Sequence, residues 1–596
     1  MAAILGLNAF HPDAAACLVI DGKLVAAVAE ERLGNRRKHT GDFPFHAVRS
    51  VLGHAGIAPS DLTHVAMGRL PAANRMAKLR YLTSQPGNAA NAVRSALGRR
   101  GKTLALTHTL AHALDIDPAT INAETHLVEH HIAHIASAYY CSPFDSAAGF
   151  SLDGSGDFVS GMAARCEGTR IDVLDRVPLP ASLGHFYTAM CQFIGFDRFG
   201  EEYKVMGLAP YGEDRYAREM AAIVRLEGTP WYGIDPRYLD VWNGLAASQV
   251  SSDGQLTLGT IYSRKLTDLF GPPRRRENPV TQREMNIARS TQAMFERAVG
   301  HCLRSLADRT PIDRLTMAGG CALNGVMNAK ALREHPIGDA YLHAAASDDG
   351  TAIGAALHCW HDRLGRHERF VMEHAFWGPQ HSHDAIRAAL AERGVTAREC
   401  ISEAETVEAA AGLIADGAVI GWYQGRSEWG PRALGNRSIL ANPAVPDMKD
   451  RINRKIKGRE SFRPFAPSVL REDVARYFEQ DIASPFMMHV VKFRPEWRMA
   501  FPAVTHIDGT GRLQTVEEAN NPLYHALLLA TKRRTGHGML LNTSFNENEP
   551  VVDTPAQALN CYLRTDLDAL VIGRFVLVKP RGAGEGEPIA GERSNR

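Results

Sequence analysis

The residues best suited to carry chemistry lie in one short segment, at His130 and His134. These two histidines are four residues apart, so on a helix both imidazoles project from one face and can share a metal ion. Asp153 follows nineteen residues after His134, at the end of an apolar strand over 147–152. A carboxylate arriving there completes a two-histidine, one-carboxylate metal site with open positions, an arrangement more typical of catalysis than of structure.

Two further features bear on this prediction. A second histidine pair with the same spacing, His108 and His112, lies just upstream, but no glycine-rich acidic turn follows it, so we interpret that pair as unrelated to metal binding. Asp348 opens a helix after a strand of small residues and is a further candidate ligand. Aspartate at a helix start is often an N-cap. The neighbouring Asp349 can supply that cap and leave Asp348 free for a metal.

Turns with polar or glycine residues follow three predicted strands of the first half. They contain His11, the segment Gly154-Ser155-Gly156, and the pair Gly319-Gly320. Glycine is needed beside a phosphate because a Cβ atom would hold the backbone N–H away from the phosphate oxygens. Two similar strand–turn–strand halves with a glycine pair before a helix are typical of the actin-like ATPase (ASKHA) fold of sugar kinases and heat-shock proteins. The turns therefore predict nucleotide binding.

The second half of the chain carries many cations among glycines, over 425–438 and 453–465. Arginine binds phosphate oxygens in bidentate fashion and lysine binds them as a point charge, so this composition suits a small, multiply charged anion. The segment 542–546 follows an apolar strand and offers hydroxyl and amide groups of the kind that line phosphate sites. A solvated basic face is the alternative, but proline, glycine, phenylalanine and leucine interleave too tightly for an exposed helix.

The elements that must position these residues alternate along the chain, which predicts an α/β fold. Strands are expected near Ile4–Asn8, 14–20 and 24–30, then a helical section to about residue 123, a second strand cluster from about 147, an irregular insertion over 213–280, a helix over 283–306 and strands at 314–318, 418–423 and 538–542. The pattern loosens around 362–378. We therefore predict domains over 1–370 and 371–580, with a disordered tail over 581–596.

Composition limits the class of protein. A chain of 596 residues is too long for one core. The formal net charge of +1 gives no reason to expect nucleic acid or an anionic membrane as partner. Nine cysteines are scattered without CxxC spacing, so neither a zinc site nor a disulfide framework is indicated, and free thiols in a reducing compartment are expected. With no signal-like N-terminus and no long apolar run, a cytoplasmic enzyme is predicted.

Taken together, these motifs resemble the O-carbamoyltransferase family of the nodulation, cephem and aminoglycoside-antibiotic type. The resemblance covers nearly the whole chain, and the 430–438 segment is its most specific part, whereas the histidine pair is not specific. Trp429 stands where the family more often has phenylalanine. The stretches 80–123 and 231–271 match nothing firmly, so acceptor choice is expected there. The matching segments are His11, 29–32, 130–134, 202–209, 319–324, 430–438 and 541–546.

The resemblance implies two coupled sites. The first domain is similar to TsaD-type ASKHA domains and would hold a divalent metal, Fe(II) with Mg or Mn as alternatives. The second domain is similar to YrdC-like domains and would form carbamoyl-adenylate from carbamoyl phosphate and ATP. Implied metal ligands are His130, His134, Asp153 and Asp348. Implied nucleotide-binding residues are Gly154, Ser155, Gly156, Glu202, Lys204, Gly319, Gly320 and Asn324. Implied carbamoyl phosphate and ATP ligands are Arg432, Lys457, Arg463, Ser544 and Asn546.

The second step would pass the carbamoyl group to a hydroxyl of a small natural product. His11 would act there as general base or stabilise the transition state, and Lys38 would neutralise developing phosphate charge. The expected partners are thus a hydroxylated small molecule, no nucleic acid and no membrane, with a homodimer as one option for assembly. Three alternatives stay open: a tRNA threonylcarbamoyl-type enzyme, an ASKHA-type kinase, and a metal-binding protein without catalytic activity.

Overall fold

Three large β-sheets form the framework of the computed structural model, which describes residues 1–34, 37–84, 105–228, 231–250, 256–460 and 462–580. The predicted disordered tail, 581–596, lies outside these described residues. The strands, β1 to β23 in chain order, are Ala3–Asn8, Ala15–Ile20, Lys23–Ala29, His64–Met67, Glu124–Leu127, Ser146–Gly156, Val159–Glu167, Arg170–Pro178, Val224–Arg225, Gly233–Ile234, Gln249–Val250, Leu256–Thr257, Arg314–Ala318, Asp339–Leu342, Arg398–Glu399, Ile420–Tyr423, Arg437–Ala441, Ala466–Leu470, His489–Lys492, Thr510–Val516, Met539–Ser544, Ala569–Ile572 and Phe575–Val578.

Helices cover these sheets and connect their strands. The α-helices of the described residues, α1 to α19 in chain order, are Glu30–Leu33, Phe45–Ala55, Arg75–Ser84, Leu106–Leu114, His130–Cys141, Leu183–Phe193, Tyr203–Leu208, Ala217–Ile223, Val241–Ala247, Leu266–Phe270, Gln282–Ala307, Gly325–Glu334, Thr351–His358, His383–Glu392, Glu403–Ala415, Met448–Arg451, Val474–Tyr477, Pro522–Thr535 and Pro555–Arg564. None of them combines the length and the apolarity that a membrane span requires.

The first two sheets repeat one topology. The first has the strand order β3-β2-β1-β4-β5, in which β1 pairs antiparallel with β2 and parallel with β4. The second has the order β14-β13-β6-β7-β8, in which β6 pairs antiparallel with β7 and parallel with β13. Read from the other edge, the second order is the first with β6 in the place of β1. The predicted pair of similar halves is therefore present as two copies of one sheet.

Helices α5 and α13 lie between the two sheets and pack against each other. Both are buried on nearly every side, which explains why α13 has the apolar, small-residue sequence Thr-Ala-Ile-Gly-Ala-Ala-Leu-His. A Cβ atom at Gly354 would lie 1.8 Å from the Ala133 carbonyl oxygen, so only glycine allows this approach of the two backbones. The close contact fixes α5, which begins at His130, relative to the turn that precedes α13.

The third sheet has nine strands in the order β15-β23-β22-β16-β17-β21-β18-β20-β19. Most neighbouring pairs are antiparallel, while β16 with β22 and β18 with β20 are parallel. Apolar side chains fill both faces: on β21, Met539 and Leu541 belong to one core and Leu540 to the core on the opposite face. The strands of the first two sheets end at Leu342 and those of the third begin at Arg398, so the chain has two sheet-containing regions.

The α/β architecture predicted from the sequence is confirmed, and most predicted strands and helices agree within two residues. The long helix expected over 283–306 is α11, and the strand at 314–318 is β13. The helical section predicted up to residue 123 was wrong in part, because it contains β4, and β5 follows at Glu124. These strands have four residues each, too few for periodicity to distinguish them from buried helix.

Candidate active site

Four predicted metal ligands converge between the two repeated sheets. His130 and His134 come from the first two turns of α5, Asp153 from β6, and Asp348 from the turn before α13. One ligand atom of each of the four lies within 4.8 Å of every other. The Nε2 atom of His130 is 3.6 Å from an Asp153 oxygen and 3.4 Å from Asp348 Oδ1, and the Nε2 atom of His134 is 3.5 Å from Asp348 Oδ1. The spacing argument for this cluster therefore holds in three dimensions.

The donor set fits a divalent transition metal. The Nε2 atoms of His130 and His134 are 3.0 Å apart, close to the distance of about 3 Å between two ligand atoms bound to one metal at about 2.0–2.1 Å and a right angle. Asp348 Oδ1 is buried and accepts no hydrogen bond from the described residues. Two imidazoles and two carboxylates suit first-row metals better than calcium or a thiolate-bound zinc. These four residues could hold a metal ion, and such an ion would give Asp348 Oδ1 the partner that it lacks.

Electrostatics in the cluster show how unevenly charge is distributed without an ion. Burial opposes protonation of His130, but Asp153 and Asp348 outweigh it and raise the pKa of His130 to about 10. Burial and the neighbouring His130 charge instead lower the pKa of His134. Burial and the nearby Asp348 charge would raise the pKa of Asp153, yet the two histidines hold it at about 2. The paired carboxylates therefore require a positive charge at this point, supplied by a proton or a metal.

The glycines near Asp153 make space for the candidate metal ligands and orient them. The pairing of β6 with β7 shifts register between Leu152 and Gly156, so residues 153–155 bulge from the sheet at this point. A Cβ atom at Gly156 would lie 2.0 Å from the His130 ring. Gly319 has a φ of +89°, and the Gly320 amide donates a 2.9 Å hydrogen bond to Asp153. Thus Gly156 makes room for His130, and the Gly319-Gly320 pair orients the Asp153 carboxylate.

Two further histidines adjoin the cluster, with different roles. His131 contacts the Ser151 hydroxyl at 2.8 Å and the Val159 carbonyl at 3.0 Å, and burial holds its pKa well below the usual range. It is therefore a neutral structural residue. His185 on α6 is buried beside Gly154, its Nδ1 has no partner among the described residues, and burial lowers its pKa to about 4. Sequence reasoning missed His185, because no motif connects it with the histidine pair.

His11 extends from the β1–β2 turn onto the cluster. Its Nδ1 contacts Asp348 Oδ2, and its ring centroid is 5.1 Å from that of His130. Asn8 holds the turn in place by donating hydrogen bonds to the carbonyls of Pro12 and Asp13, at 2.8 and 3.0 Å. Asp348 thus contacts the histidine pair that could hold a metal on one side and His11, a candidate general base, on the other. Asp349, expected to cap the helix, instead accepts the Gly350 amide at 3.0 Å.

A charged pair lies next to this turn. His39 Nδ1 is 2.7 Å from Asp13, which also accepts a 3.0 Å hydrogen bond from the Ser347 hydroxyl. Burial opposes protonation of His39, but the charge and the hydrogen bond of Asp13 outweigh it and raise the pKa of His39 to about 9. His39 is therefore cationic at neutral pH and joins the first turn to the segment before Asp348.

The stability that His39 contributes is expected to depend on pH. Its folded-state pKa of about 9 exceeds the usual value of about 6.5, so its stabilisation is complete below pH of about 6.5 and is lost as pH rises through about 9. The advantage of the wild type over His39→Gln in free energy of unfolding should fall by up to about 1.4 kcal/mol per pH unit in this window. Urea titrations of both proteins across this range measure it, and a constant difference would contradict the assignment.

The remaining predicted nucleotide residues lie in internal contacts. Glu202 accepts a 2.8 Å hydrogen bond from Thr188. Asn324 caps α12 and exchanges hydrogen bonds with Gln292 at 2.9 and 3.1 Å. Lys204 forms 2.8 Å ion pairs with Glu201 and, in the other sheet region, with Glu460. The structure therefore places Lys204 as a link between the two regions, whereas Ser155 lies in the β6 bulge beside Asp153.

Lys457, Ser544 and Asn546, three of the predicted carbamoyl phosphate and ATP ligands, meet in the second region. The buried Lys457 ammonium donates to the Ser544 and Asn546 carbonyls, at 2.6 Å each, and to Asn546 Oδ1 at 2.7 Å. The Ser544 hydroxyl donates to the same Asn546 oxygen at 2.7 Å. Burial holds the pKa of Lys457 well below its usual range, helped by the nearby Arg459 charge. The three residues form one cationic corner.

Arginines that each carry one unpartnered donor atom surround this corner. Arg432 Nε, Arg459 Nη2 and Arg512 Nε are buried and have no hydrogen-bond partner among the described residues. Burial lowers the pKa of Arg432 to about 10 and, together with Arg463, that of Arg459 to about 9. Burial and the charges of three neighbouring arginines hold the pKa of Arg512 well below its usual range. Buried cationic donors without acceptors imply an anion that satisfies them.

Sequence reasoning predicted Arg432 and Arg463 but missed Arg459 as a site residue and missed Arg512 entirely. Arg459 lies within the cation-rich segment 453–465, so its charge could be recognised from the sequence. Arg512 lies on β20, and only the parallel pairing of β18 with β20 brings it beside the motif arginines.

Lys38 also interacts electrostatically with this arginine cluster. Although the side chain is exposed overall, partial desolvation lowers the pKa of Lys38, with Glu31 opposing and Arg463 adding to the shift.

The arginine motif contacts the first region directly. Arg432 donates to the Leu323 carbonyl at 3.3 Å, and Arg32 donates to the Gly430 carbonyl at 2.8 Å. Gly430 has a φ of +96°, and a Cβ atom there would lie 2.5 Å from the Ala344 carbonyl oxygen. The arginine motif therefore packs onto the segment that leads to Asp348.

Glu428 shapes this motif from within. Its Oε1 atom accepts backbone hydrogen bonds from Leu434, Asn436 and Arg437 at 2.9, 2.9 and 3.0 Å. Arg437 itself is buried and donates to backbone carbonyls, with its guanidinium 3.8 Å from the Tyr423 ring. It thus holds the backbone of this segment, although its Nε atom, like that of Arg432, is buried without a hydrogen-bond partner among the described residues.

A groove of about 1010 Å³ lies elsewhere in the second region, between α15, α18 and residues 374–386. Its lining includes Arg426, Arg533 and Arg574 together with apolar side chains. None of the predicted site residues lines it. The concentration of ionisable side chains at the region boundary, rather than the size of this groove, identifies the candidate active site.

The duplicated five-stranded sheets, with a ligand cluster between them, define a first region of the actin-like ATPase class. The chain belongs to the carbamoyltransferase family: it matches "Carbamoyltransferase N-terminus" over residues 3–357 and "Carbamoyltransferase C-terminus" over residues 411–579. It is a carbamoyltransferase, as the sequence motifs predicted.

Named relatives agree with this membership. The chain is 39% identical to the nodulation protein NolNO of Sinorhizobium fredii over 590 residues, which cover 97% of this chain and 80% of that protein. It is 34% identical to the 3'-hydroxymethylcephem-O-carbamoyltransferase of Streptomyces clavuligerus over 271 residues, 45% of this chain and 49% of that protein. Among solved structures, (R)-2-hydroxyglutaryl-CoA dehydratase component A of Acidaminococcus fermentans matches with a TM-score of 0.33 and 14% identity, covering 61% of this chain and 100% of that chain.

Proposed function

We propose that the protein is an ATP-dependent O-carbamoyltransferase with two connected sites. In the first step, ATP, carbamoyl phosphate and one water give carbamoyl-adenylate, pyrophosphate and phosphate. In the second step, an acceptor hydroxyl attacks the carbamoyl carbon, its proton passes to a base, and AMP leaves. The observation that carries the proposal is the set of buried, unpartnered arginine N–H groups at the region boundary, next to the segment that leads to Asp348.

The cationic corner suits the first step. Carbamoyl phosphate and the ATP triphosphate are both small, highly charged anions, and their oxygens would satisfy the free donors of Arg432, Arg459 and Arg512. Arg463 and Lys38 add charge where pyrophosphate would leave. Ser544 and Asn546 would orient a phosphate oxygen from the Lys457 side. In this proposal, the nine-stranded region has the role predicted for the YrdC-like domain, which is the formation of carbamoyl-adenylate.

The histidine–carboxylate cluster suits the second step. The proposed metal, Fe(II) with Mg or Mn as alternatives, would be held by His130, His134, Asp153 and Asp348, and when bound it supplies Lewis-acid polarisation. His11 is oriented through Nδ1 by Asp348, which leaves its other ring nitrogen to take the acceptor proton. Gly154 would let the backbone approach an adenylate phosphate, whereas the Gly320 amide already donates to Asp153.

The acceptor is proposed to be a small hydroxylated molecule, and the cytoplasm the place of reaction. The cephem relatives are named for transfer of a carbamoyl group to a hydroxyl of a small molecule. All nine cysteines of the chain are unpaired, as expected in a reducing compartment. The near-neutral charge favours such an acceptor over tRNA.

The test is a product analysis with purified protein, ATP, carbamoyl phosphate and a panel of hydroxylated acceptors. We expect pyrophosphate release that requires carbamoyl phosphate, and AMP together with a product heavier by one carbamoyl group when the right acceptor is present. A kinase would give ADP and a phosphorylated acceptor. ADP as the nucleotide product, or pyrophosphate release independent of carbamoyl phosphate, would refute the proposal.

A further inference from the structure

A second cluster of ligand-type side chains lies at the edge of the first sheet, outside the candidate active site. His64 comes from β4, His126 from the edge strand β5, and Cys359 follows the end of α13. The Nδ1 atom of His64 is 3.1 Å from the Nε2 atom of His126. The ligand atoms of all three residues lie within 4.8 Å of one another. Two imidazoles and a thiol thus converge from three separate elements.

The distances suit one tetrahedral ion. Two bonds of about 2.0–2.1 Å to histidine nitrogens at a tetrahedral angle place those nitrogens about 3.3 Å apart. The 3.1 Å separation of the His64 and His126 nitrogens is close to this value. A carboxylate oxygen of Glu124 is 3.8 Å from His126 Nε2, near enough to become a fourth ligand after a rotamer change. The donor types, nitrogen, sulfur and oxygen, are those that zinc accepts.

Strands β4 and β5 present the proposed histidine and glutamate ligands on one face of the first sheet. In the parallel register of β4 and β5, His64 pairs with Glu124 and Ala66 with His126, so Glu124 and His126, two residues apart, project to the same face. Helix α13 ends in a π-helical turn, Cys359–Arg363, and such turns are frequent at functional sites. The thiol is fully buried, whereas Glu124 is exposed, so the cluster opens to solvent at the sheet edge.

We propose that His64, His126 and Cys359, with Glu124 as fourth ligand, form a zinc site separate from the active site. On binding, the Cys359 thiol loses its proton to solvent and a zinc–sulfur bond forms. The ion would join β4, β5 and the end of α13, the helix that begins beside Asp348. Since α13 has eight residues, the two sites are about 12 Å or more apart along it.

A plain N–H···N hydrogen bond between the two histidines is the alternative explanation. It accounts for their separation but not for the convergence of the buried Cys359 thiol on the same point. Neutral imidazoles are the form that binds metal.

Cobalt(II) is the probe that separates this site from the active site. The full-length protein is stripped with chelator and titrated with Co²⁺, and a thiolate-to-cobalt charge-transfer band in the near ultraviolet is expected at one equivalent. Cys359→Ser and His126→Gln should each remove the band, and Zn²⁺ should displace it from the wild type. His134→Gln should keep it, because the active-site cluster contains no thiol.

Cys321→Ser is the matched thiol control, since Cys321 is partly exposed and lies near Asp153. It should keep the band. A wild type without the band, or a band that survives Cys359→Ser, would overturn the proposed zinc site. Neither result bears on the proposed carbamoyl transfer. If Cys359→Ser does not fold, His126→Gln and His64→Gln decide the matter, with near-ultraviolet circular dichroism as the test of folding. In both variants Zn²⁺ should raise the unfolding temperature less than in the wild type, because only the active-site cluster can still bind the ion.

Discussion

Replacing Arg512 with methionine is expected to make the protein more stable and to abolish carbamoyl-adenylate formation. The Arg512 Nε atom is buried without a partner, and three neighbouring arginines repel its charge. Removing a buried, unsatisfied cationic donor should raise the free energy of unfolding by about 1–3 kcal/mol. If the same group binds a reacting phosphate, pyrophosphate release should fall by about 10²–10³-fold.

Two measurements on one variant, an unfolding titration and a pyrophosphate assay, check this prediction. Arg471→Met is the matched control, because Arg471 contacts the Asp481 carboxylate and lies outside the arginine cluster. It should leave pyrophosphate release unchanged and give no gain in stability. An Arg512→Met protein that is less stable, yet still releases pyrophosphate at the wild-type rate, would show that Arg512 is structural.

Replacing His11 with asparagine is expected to stop carbamoyl transfer while adenylate formation continues. His11 contacts Asp348 and lies in the first region, away from the arginine cluster that would hold the reacting phosphates. Loss of a general base typically costs about 10²–10⁴-fold in rate. Pyrophosphate release should persist, and carbamoylated product should fall by that factor.

A single-turnover experiment separates the two steps, with pyrophosphate and carbamoylated product quantified in the same samples. His112→Asn is the control, since His112 belongs to the histidine pair interpreted as unrelated and packs against Phe45. That variant should behave as the wild type in both steps. Simultaneous loss of pyrophosphate and product in His11→Asn would mean that His11 supports folding or the first step, and the assigned role would fall.

Much of the candidate site follows from local sequence. The i, i+4 spacing of His130 and His134 defines which helix face carries them, and the glycines around Asp153 and Gly319 mark where a backbone must pass closely. Such inferences succeed because spacing within one helix or one turn fixes relative position. They could not separate neighbouring roles: His131 stands between two candidate metal ligands and is structural, and Lys204 joins the two regions instead of standing free.

The sequence alone determined the α/β class, the family, and the segments in which the reactive side chains stand. Its motifs are local, and a local spacing is a geometric constraint. Only the tertiary structure decided which segments meet: that Asp348 is shared by His11 and the histidine pair, that Arg512 joins the motif arginines, and that Cys359 reaches His64 and His126. The physical reason is that strand pairing and helix packing bring together residues hundreds of positions apart, and no spacing along the chain encodes those distances.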